Sequence, residues 1–494
     1  MNLKNKKFNC ISLYLILKFI LIVISTLFLL LIKLKNYIIY NIKSILKHED
    51  NFNNYTNDYN VPKNENYYCQ KYDPFKIYND RLHKSYINIC EGSKSKHICY
   101  KNRLSISGIK NGVICIMENV VIDPFKWKSD GFKYLGPVNK KTRGLPLLSK
   151  GFFNMKCKHI NKINKPSKYY KFYFKSWDYN YNDKRKYKEL SQNKVVFFIS
   201  RNQDSPNLYW GGSGVINALA IMHYFKFDPE NIQVVFLESM SMENDPNYVF
   251  YEKIISKGNR PIHIRDLKEK YHISKAIHIP LNWDSACFLK FKKVPKCEFR
   301  SKAYYFLNQY VDKYMNLPDF IDSKEYDNET YYYPKDIKDP SSSKFTQFLT
   351  FQWRRPWPKG RRGQKRLTGN GPNIVDKLYQ KLPKNILIRL VDTGRLSMIN
   401  QISLMRKTDY YLGIHGAGLF LSAFMPLKSI LHEISTPKKT KNLLLVSNLS
   451  GHKTYCDIMN AETKTIDGNK YIFFNPEEIS NRVLSYIKEN NFLN

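Results

Sequence analysis

The sequence predicts an α/β protein: two doubly wound, Rossmann-like domains facing one another behind an N-terminal transmembrane anchor. Three observations carry that prediction. Short apolar runs of strand length alternate with helix-length segments from Val195 onward, a break rich in Pro, Ser and Lys at Asp319–Ser343 divides the alternation in two, and Cys10–Ile32 is almost wholly apolar. Alternation of this kind implies a parallel sheet covered by helices on both faces.

In the first unit, Val195–Ser200 reads as a strand, Val215–Phe225 as a helix and Gln233–Leu237 as a strand. Tyr248–Ser256 follows as a helix, Pro261–Ile264 and Ala276–Ile279 as strands, and Lys302–Met315 as a helix. The second unit reads Phe348–Trp353 (strand), Ile374–Gln380 (helix), Ile386–Val391 (strand), Arg395–Lys407 (helix) and Tyr410–Ile414 (strand). After a glycine turn, Leu419–Phe424 opens a helix that Pro426 stops, Ser429–Ile434 returns as a strand, and Tyr471–Phe474 with Glu477–Glu489 closes the chain as strand and helix.

Upstream, the anchor spans Cys10–Ile32, long enough for a bilayer core of about 30 Å. Lys18 near its middle costs about 3 kcal/mol, and seventeen Ile, Leu, Val and Phe residues return about 5 to 10 kcal/mol on the same scale, so insertion is favoured. A short N-terminal tail and the absence of a small-residue cleavage site favour a type II signal-anchor over a cleaved signal peptide, with the bulk of the chain in the lumen of the Golgi or endoplasmic reticulum. The resulting organisation is tail and anchor over 1–33, a polar stem over 34–66, and a cysteine-containing lead-in with connector over 67–193. An acceptor-side Rossmann-like domain then covers 194–343 and a second one 344–494.

The formal charge of +38 would ordinarily point to nucleic acid. Here the basic residues are scattered among Asn, Tyr and Ile, without zinc-finger spacing, an RNP-like string or a helix-turn-helix signal, and no nucleic-acid partner is expected. Beyond Cys10, eight cysteines remain (Cys69, Cys90, Cys99, Cys115, Cys157, Cys287, Cys297 and Cys456), an even set compatible with four disulfides in an oxidising lumen. Asn54, Asn328 and Asn448 head N-x-S/T triplets and are glycosylation acceptors on the lumenal reading.

The most informative stretch is Tyr410–Ile434. A strand runs into His415-Gly416-Ala417-Gly418 and then into a helix, which exposes backbone N–H groups at the positive end of a helix dipole, a ready site for phosphate. The string L-G-I-H-G-A-G-L, followed by F-M-P and H-E-I, resembles the core signature of glycosyltransferase family 61, which includes GlcNAc and β-1,2-xylosyl transferases. Ser397–Leu404, with Gln401, and Thr408-Asp409 are similar to the family as well. The resemblance implies inverting, metal-independent transfer of a sugar, GlcNAc or xylose, from a UDP donor to a glycan or glycoprotein acceptor. Two doubly wound domains facing one another would make a GT-B architecture.

Transfer from a nucleotide sugar requires a stabilised diphosphate, a deprotonated acceptor hydroxyl and alignment of both at the anomeric carbon, where oxocarbenium character develops. The amides of Gly416, Ala417 and Gly418 are the first candidates for the diphosphate, and Arg354 and Arg355, just beyond a strand, the second. The resemblance also implies an arginine–arginine–asparagine series that Arg355, Arg366 and Asn370 would fill. Glu433 at a strand end is a candidate for the ribose hydroxyls, His415 for phosphate orientation or proton transfer, and Asp204 for the base. Trp210 stands where the family often has histidine. No D-x-D occurs in the chain, so no metal or other cofactor is expected. The rival readings are a catalytically inactive, carbohydrate-binding or scaffolding member, and an esterase, for which the G-x-S-x-G elbow is lacking.

Overall fold

The computed structural model describes residues 73, 75, 86–91, 95–102, 112–128, 147–161, 173–182, 186–201, 208–238, 245–279, 300–323, 325–327, 329–356, 367–435 and 442–490. The expected anchor and stem, with Cys10, Asn54 and Cys69, lie outside the described residues, as do Cys287, Cys297 and Asn328. No described helix is long and apolar enough to cross a membrane.

Three antiparallel strands come first, β1 (Tyr86–Glu91), β2 (Lys96–Asn102) and β3 (Gly112–Ile122). Cys99 and Cys115 face each other across β2 and β3 and form a disulfide, and a second disulfide joins Cys90 to Cys157. These strands extend the first parallel sheet, because β3 pairs antiparallel with β7 (Tyr271–Ile279). The sheet continues β7–β4 (Val195–Ile199)–β5 (Ile232–Phe236)–β6 (Ile262–His263), all parallel. All five β5 residues, and four of the five in β4, are buried, as strands covered on both faces require. Helix α1 (Leu208–Tyr224) crosses from β4 to β5. The segment expected to be a helix at Tyr248–Ser256 is one α turn followed by π geometry over Tyr251–Ile255. Helix α2 (Lys302–Tyr314) follows, and the carboxylate of Asp73 accepts from the Ala303 amide in its first turn.

The second sheet has the order β8 (Tyr331–Tyr332)–β10 (Ile386–Val391)–β9 (Gln347–Gln352)–β11 (Tyr410–Ile414)–β12 (Ile430–Ser435)–β13 (Lys453–Ile458). Strands β9 to β13 are parallel and β8 is an antiparallel edge. Helices α3 (Gly371–Lys381), α4 (Met398–Arg406) and α5 (Asn442–Leu449) make crossovers. A hairpin of β14 (Glu462–Ile466) and β15 (Asn469–Phe473) leads into α6 (Pro476–Glu489), which packs on α3. The crossover from β11 to β12 is a 3-10 helix over Ala417–Phe424, tighter than the α-helix expected there.

In each sheet the strand order reverses beside its first parallel strand. The chain leaves β4 for β5 and β6 and returns to the other side at β7; it leaves β9 for β10 and returns at β11. Ligands of doubly wound sheets bind in the crevice at the carboxyl ends of such reversal points. Apolar side chains of both sheets (Phe197 and Val234; Leu387, Tyr411 and Leu431) and of α1 (Ile216 and Leu219) share one core with Phe420 and Phe424 of the 3-10 helix.

One sequence expectation is corrected here. Asn448 is no exposed acceptor for glycosylation: it is buried in α5 and its amide oxygen accepts from Thr454 Oγ1 at 3.1 Å. An oligosaccharide transferase requires an accessible asparagine, which the crossover packing denies.

Candidate active site

Strand β11 ends at Ile414, beside the reversal point of the second sheet, and the turn His415–Gly418 follows. The His415 N–H bonds to the Ile434 carbonyl at 2.9 Å, which ties the turn to the end of β12. Gly416 is extended (φ 169°, ψ 167°) and its carbonyl accepts from Leu419 N–H at 3.0 Å, the first bond of the 3-10 helix. The amides of Ala417 and Gly418 precede that bond and have no acceptor within the helix, and both residues are half-buried.

The glycines have a second role that the strand–turn–helix pattern did not disclose. A Cβ on Gly416 would lie 2.2 Å from Arg354 Nη1, and one on Gly418 would lie 1.7 Å from Gln352 Nε2. Two side chains from the end of β9 therefore occupy the room the glycines leave. Arg354 donates from Nη1 to the His415 carbonyl at 3.1 Å. Gln352, buried, donates to Thr393 Oγ1 at 3.2 Å.

Arg355 diverges from its neighbour. Its guanidinium lies 4.6 Å from the Trp353 ring centroid and donates to the Glu329 carbonyl at 2.5 Å. Asn370 is committed to structure, since its amide donates to the Phe474 carbonyl and accepts from the Phe474 N–H. Glu433 stands opposite Gly413 in the β11–β12 register, is 1% exposed, and holds Oε1 2.5 Å from His415 Nδ1. The structure thus brings together Arg354, His415, Gly416, Ala417, Gly418 and Glu433, and turns Arg355 toward Glu329. Asp204 and Arg366 lie outside the described residues, and Trp210 falls in the first turn of α1.

Residues 273–431 match the family model described as glycosyltransferase 61. The chain carries a glycosyltransferase 61 domain. The protein is accordingly a glycosyltransferase enzyme. The matched stretch opens within β7 and closes within β12, so it contains Arg354, Arg355 and the whole His415–Gly418 turn. It stops two residues short of Glu433 and begins after Asp204. No curated protein matches the chain.

Three features of the two reversal points escaped sequence reading. Gln352 is one; the signal for it was a polar residue ending an apolar strand beside two glycines it could fill. Asp392, just beyond β10, is another: burial pushes its carboxyl up to about 6, against the lowering influence of the Gly394 amide and of Arg395, Arg355 and Arg354. The third is at the other reversal point. Arg201 is fully buried and meets Glu238 through Nε at 2.7 Å and Asp245 through Nη1 at 2.9 Å. An arginine just past β4 and an acid just past β5 were both visible in the sequence, but their pairing depends on the parallel register.

Proposed function

We propose that the protein is an inverting, metal-independent glycosyltransferase of GT-B-like arrangement, transferring GlcNAc or xylose from a UDP-sugar to a glycan or glycoprotein acceptor. Its working place on this reading is the secretory pathway, with the anchor at Cys10–Ile32 holding a lumenal body on the Golgi or endoplasmic reticulum membrane. The observation that carries the donor assignment is the pair of half-buried amides, Ala417 and Gly418, opening a helix at the strand-order reversal with the Arg354 guanidinium against the same turn. Such donors favour an anion at that point.

In the proposed step, the bond between the anomeric carbon and the diphosphate oxygen breaks and its electron pair stays on the diphosphate. The amides of Gly416, Ala417 and Gly418 with Arg354 bear that growing charge. The acceptor oxygen bonds to the anomeric carbon from the opposite face, inverting it, and its proton passes to Asp204. Metal independence rests on the sequence, which has no D-x-D pair to bridge a cation to phosphate.

The test is to incubate the full chain with UDP-GlcNAc, UDP-xylose and other UDP-sugars, with and without chelator, and to measure UDP release together with UDP binding. Turnover that survives chelator is expected. UDP binding without turnover of any donor would instead identify an inactive member, and a requirement for a divalent cation would overturn the metal-independent mechanism.

A further inference from the structure

We infer that Glu433 is a positioning residue that fixes the tautomer and orientation of His415, and is not a ligand of the ribose. The inference rests on the nucleotide-sugar reading of the same turn. Glu433 is 1% exposed, so a ribose hydroxyl would have to displace the strand ends to reach it, whereas His415 Nδ1 already lies 2.5 Å from Oε1. Two backbone features build the pair. Glu433 lies opposite Gly413 in the parallel register, and the Ile434 carbonyl holds the His415 amide at 2.9 Å.

An ionised carboxylate only accepts hydrogen bonds, so its partner nitrogen must carry the proton. Nδ1–H is thereby fixed, leaving Nε2 as the acceptor nitrogen of a ring whose side chain is 13% exposed. Glu433 Oε2 has no hydrogen-bond partner among the described residues. A pair serving only to hold two strands together would be expected to satisfy both oxygens, because a buried polar atom left unmet is costly. The arrangement instead spends a buried carboxylate on one imidazole at the mouth of the turn. In that tautomer Nε2 bears the ring's lone pair, so His415 can take up a proton there and, once protonated, donate toward the diphosphate.

The substitution that separates the two roles is Glu433→Gln, whose amide can donate to Nδ1 as well as accept from it and so releases the tautomer. With UDP-GlcNAc as donor, or UDP-xylose if that is the one turned over, kcat is expected to fall by about tenfold or more while KM and UDP affinity change less than about threefold. Combined with His415→Gln, the change should add little to the loss from His415→Gln alone. In [15N]histidine-labelled full chain, the His415 signals, identified by their absence from His415→Gln, should report Nδ1–H in the neutral ring and shift toward Nε2–H in Glu433→Gln. A raised KM or weakened UDP binding with kcat preserved would make Glu433 a ribose ligand and overturn the inference, as would an Nε2–H tautomer in the unsubstituted protein. Failure of the unsubstituted chain to bind UDP would overturn the donor reading itself, and the tautomer measurement would still decide whether Glu433 orients His415.

Discussion

Arg201 and Arg354 occupy the same place in the two sheets and have opposite surroundings. Each is the second residue beyond the first parallel strand of its sheet, at the point where the strand order reverses. Arg201 is enclosed: its guanidinium meets Glu238 and Asp245, lies 3.8 Å from the Phe236 ring centroid, and has no exposed side-chain surface. Arg354 is half-buried and donates from Nη1 to the His415 carbonyl, a neutral acceptor. Topological equivalence fixes where an arginine can stand. Whether it clamps the fold or faces a ligand depends on the acids that the neighbouring strand ends supply.

The largest effect should come from opening the enclosed edge. Arg201→Met leaves Glu238 and Asp245 buried without their cation, and a loss of about 3 to 5 kcal/mol in urea unfolding is expected. A loss below about 1 kcal/mol would mean that the triad is not the clamp its geometry describes.

The second edge has a buried carboxylate, Asp392, with a longer arginine contact than those of Arg201, and this should appear as pH dependence. Asp392 keeps Oδ2 3.5 Å from Arg395 Nε, and burial outweighs that cation, raising its carboxyl from 3.8 to about 6. Because the folded value exceeds the unfolded one, the folded protein retains a proton that the unfolded chain has released between those values. The contribution is therefore fully present below the unfolded pKa and is lost as pH rises through about 6. Asp392→Asn keeps an oxygen for the Gly394 N–H and cannot ionise. Its stability relative to the unsubstituted protein should rise by about 2 to 3 kcal/mol between pH 4 and pH 7.5 in paired urea titrations.

For the half-buried arginine the expected cost moves from stability to binding. Arg354→Met removes a charged donor from the turn, and UDP affinity by calorimetry should fall about thirtyfold, near 2 kcal/mol, while unfolding changes by less than about 1 kcal/mol. An equal loss in folding stability would make Arg354 a second Arg201.

The sequence disclosed these two sheets unequally. Buried parallel strands such as Val195–Ile199 and Tyr410–Ile414 were legible because covering on both faces leaves a continuous apolar run. β13, Lys453–Ile458, was missed because it is an edge strand with exposed and half-buried residues and no such run. The union of β3 with β7 joins residues far apart in sequence, and no local pattern reports it. At the site, the turn His415–Gly418 was legible from its glycines and its place after a strand. The packing of Gln352 and Arg354 against those glycines was not, since a glycine reveals that room is needed and never what fills it.

That last point yields the smallest and most discriminating prediction, Gly416→Ala. With φ at 169° the backbone is ordinary extended chain, so alanine brings no torsional strain. Its Cβ would lie 2.2 Å from Arg354 Nη1, the tip of a long flexible side chain that can swing aside at little cost to folding. The guanidinium would then leave the His415 carbonyl, and UDP affinity should drop about tenfold with unfolding nearly unchanged. If the glycine acts through the arginine, adding Gly416→Ala to Arg354→Met should cost almost nothing further. A full additional loss in the double variant would show that Gly416 serves the ligand through its own bare backbone, and that the room it leaves for Arg354 is incidental.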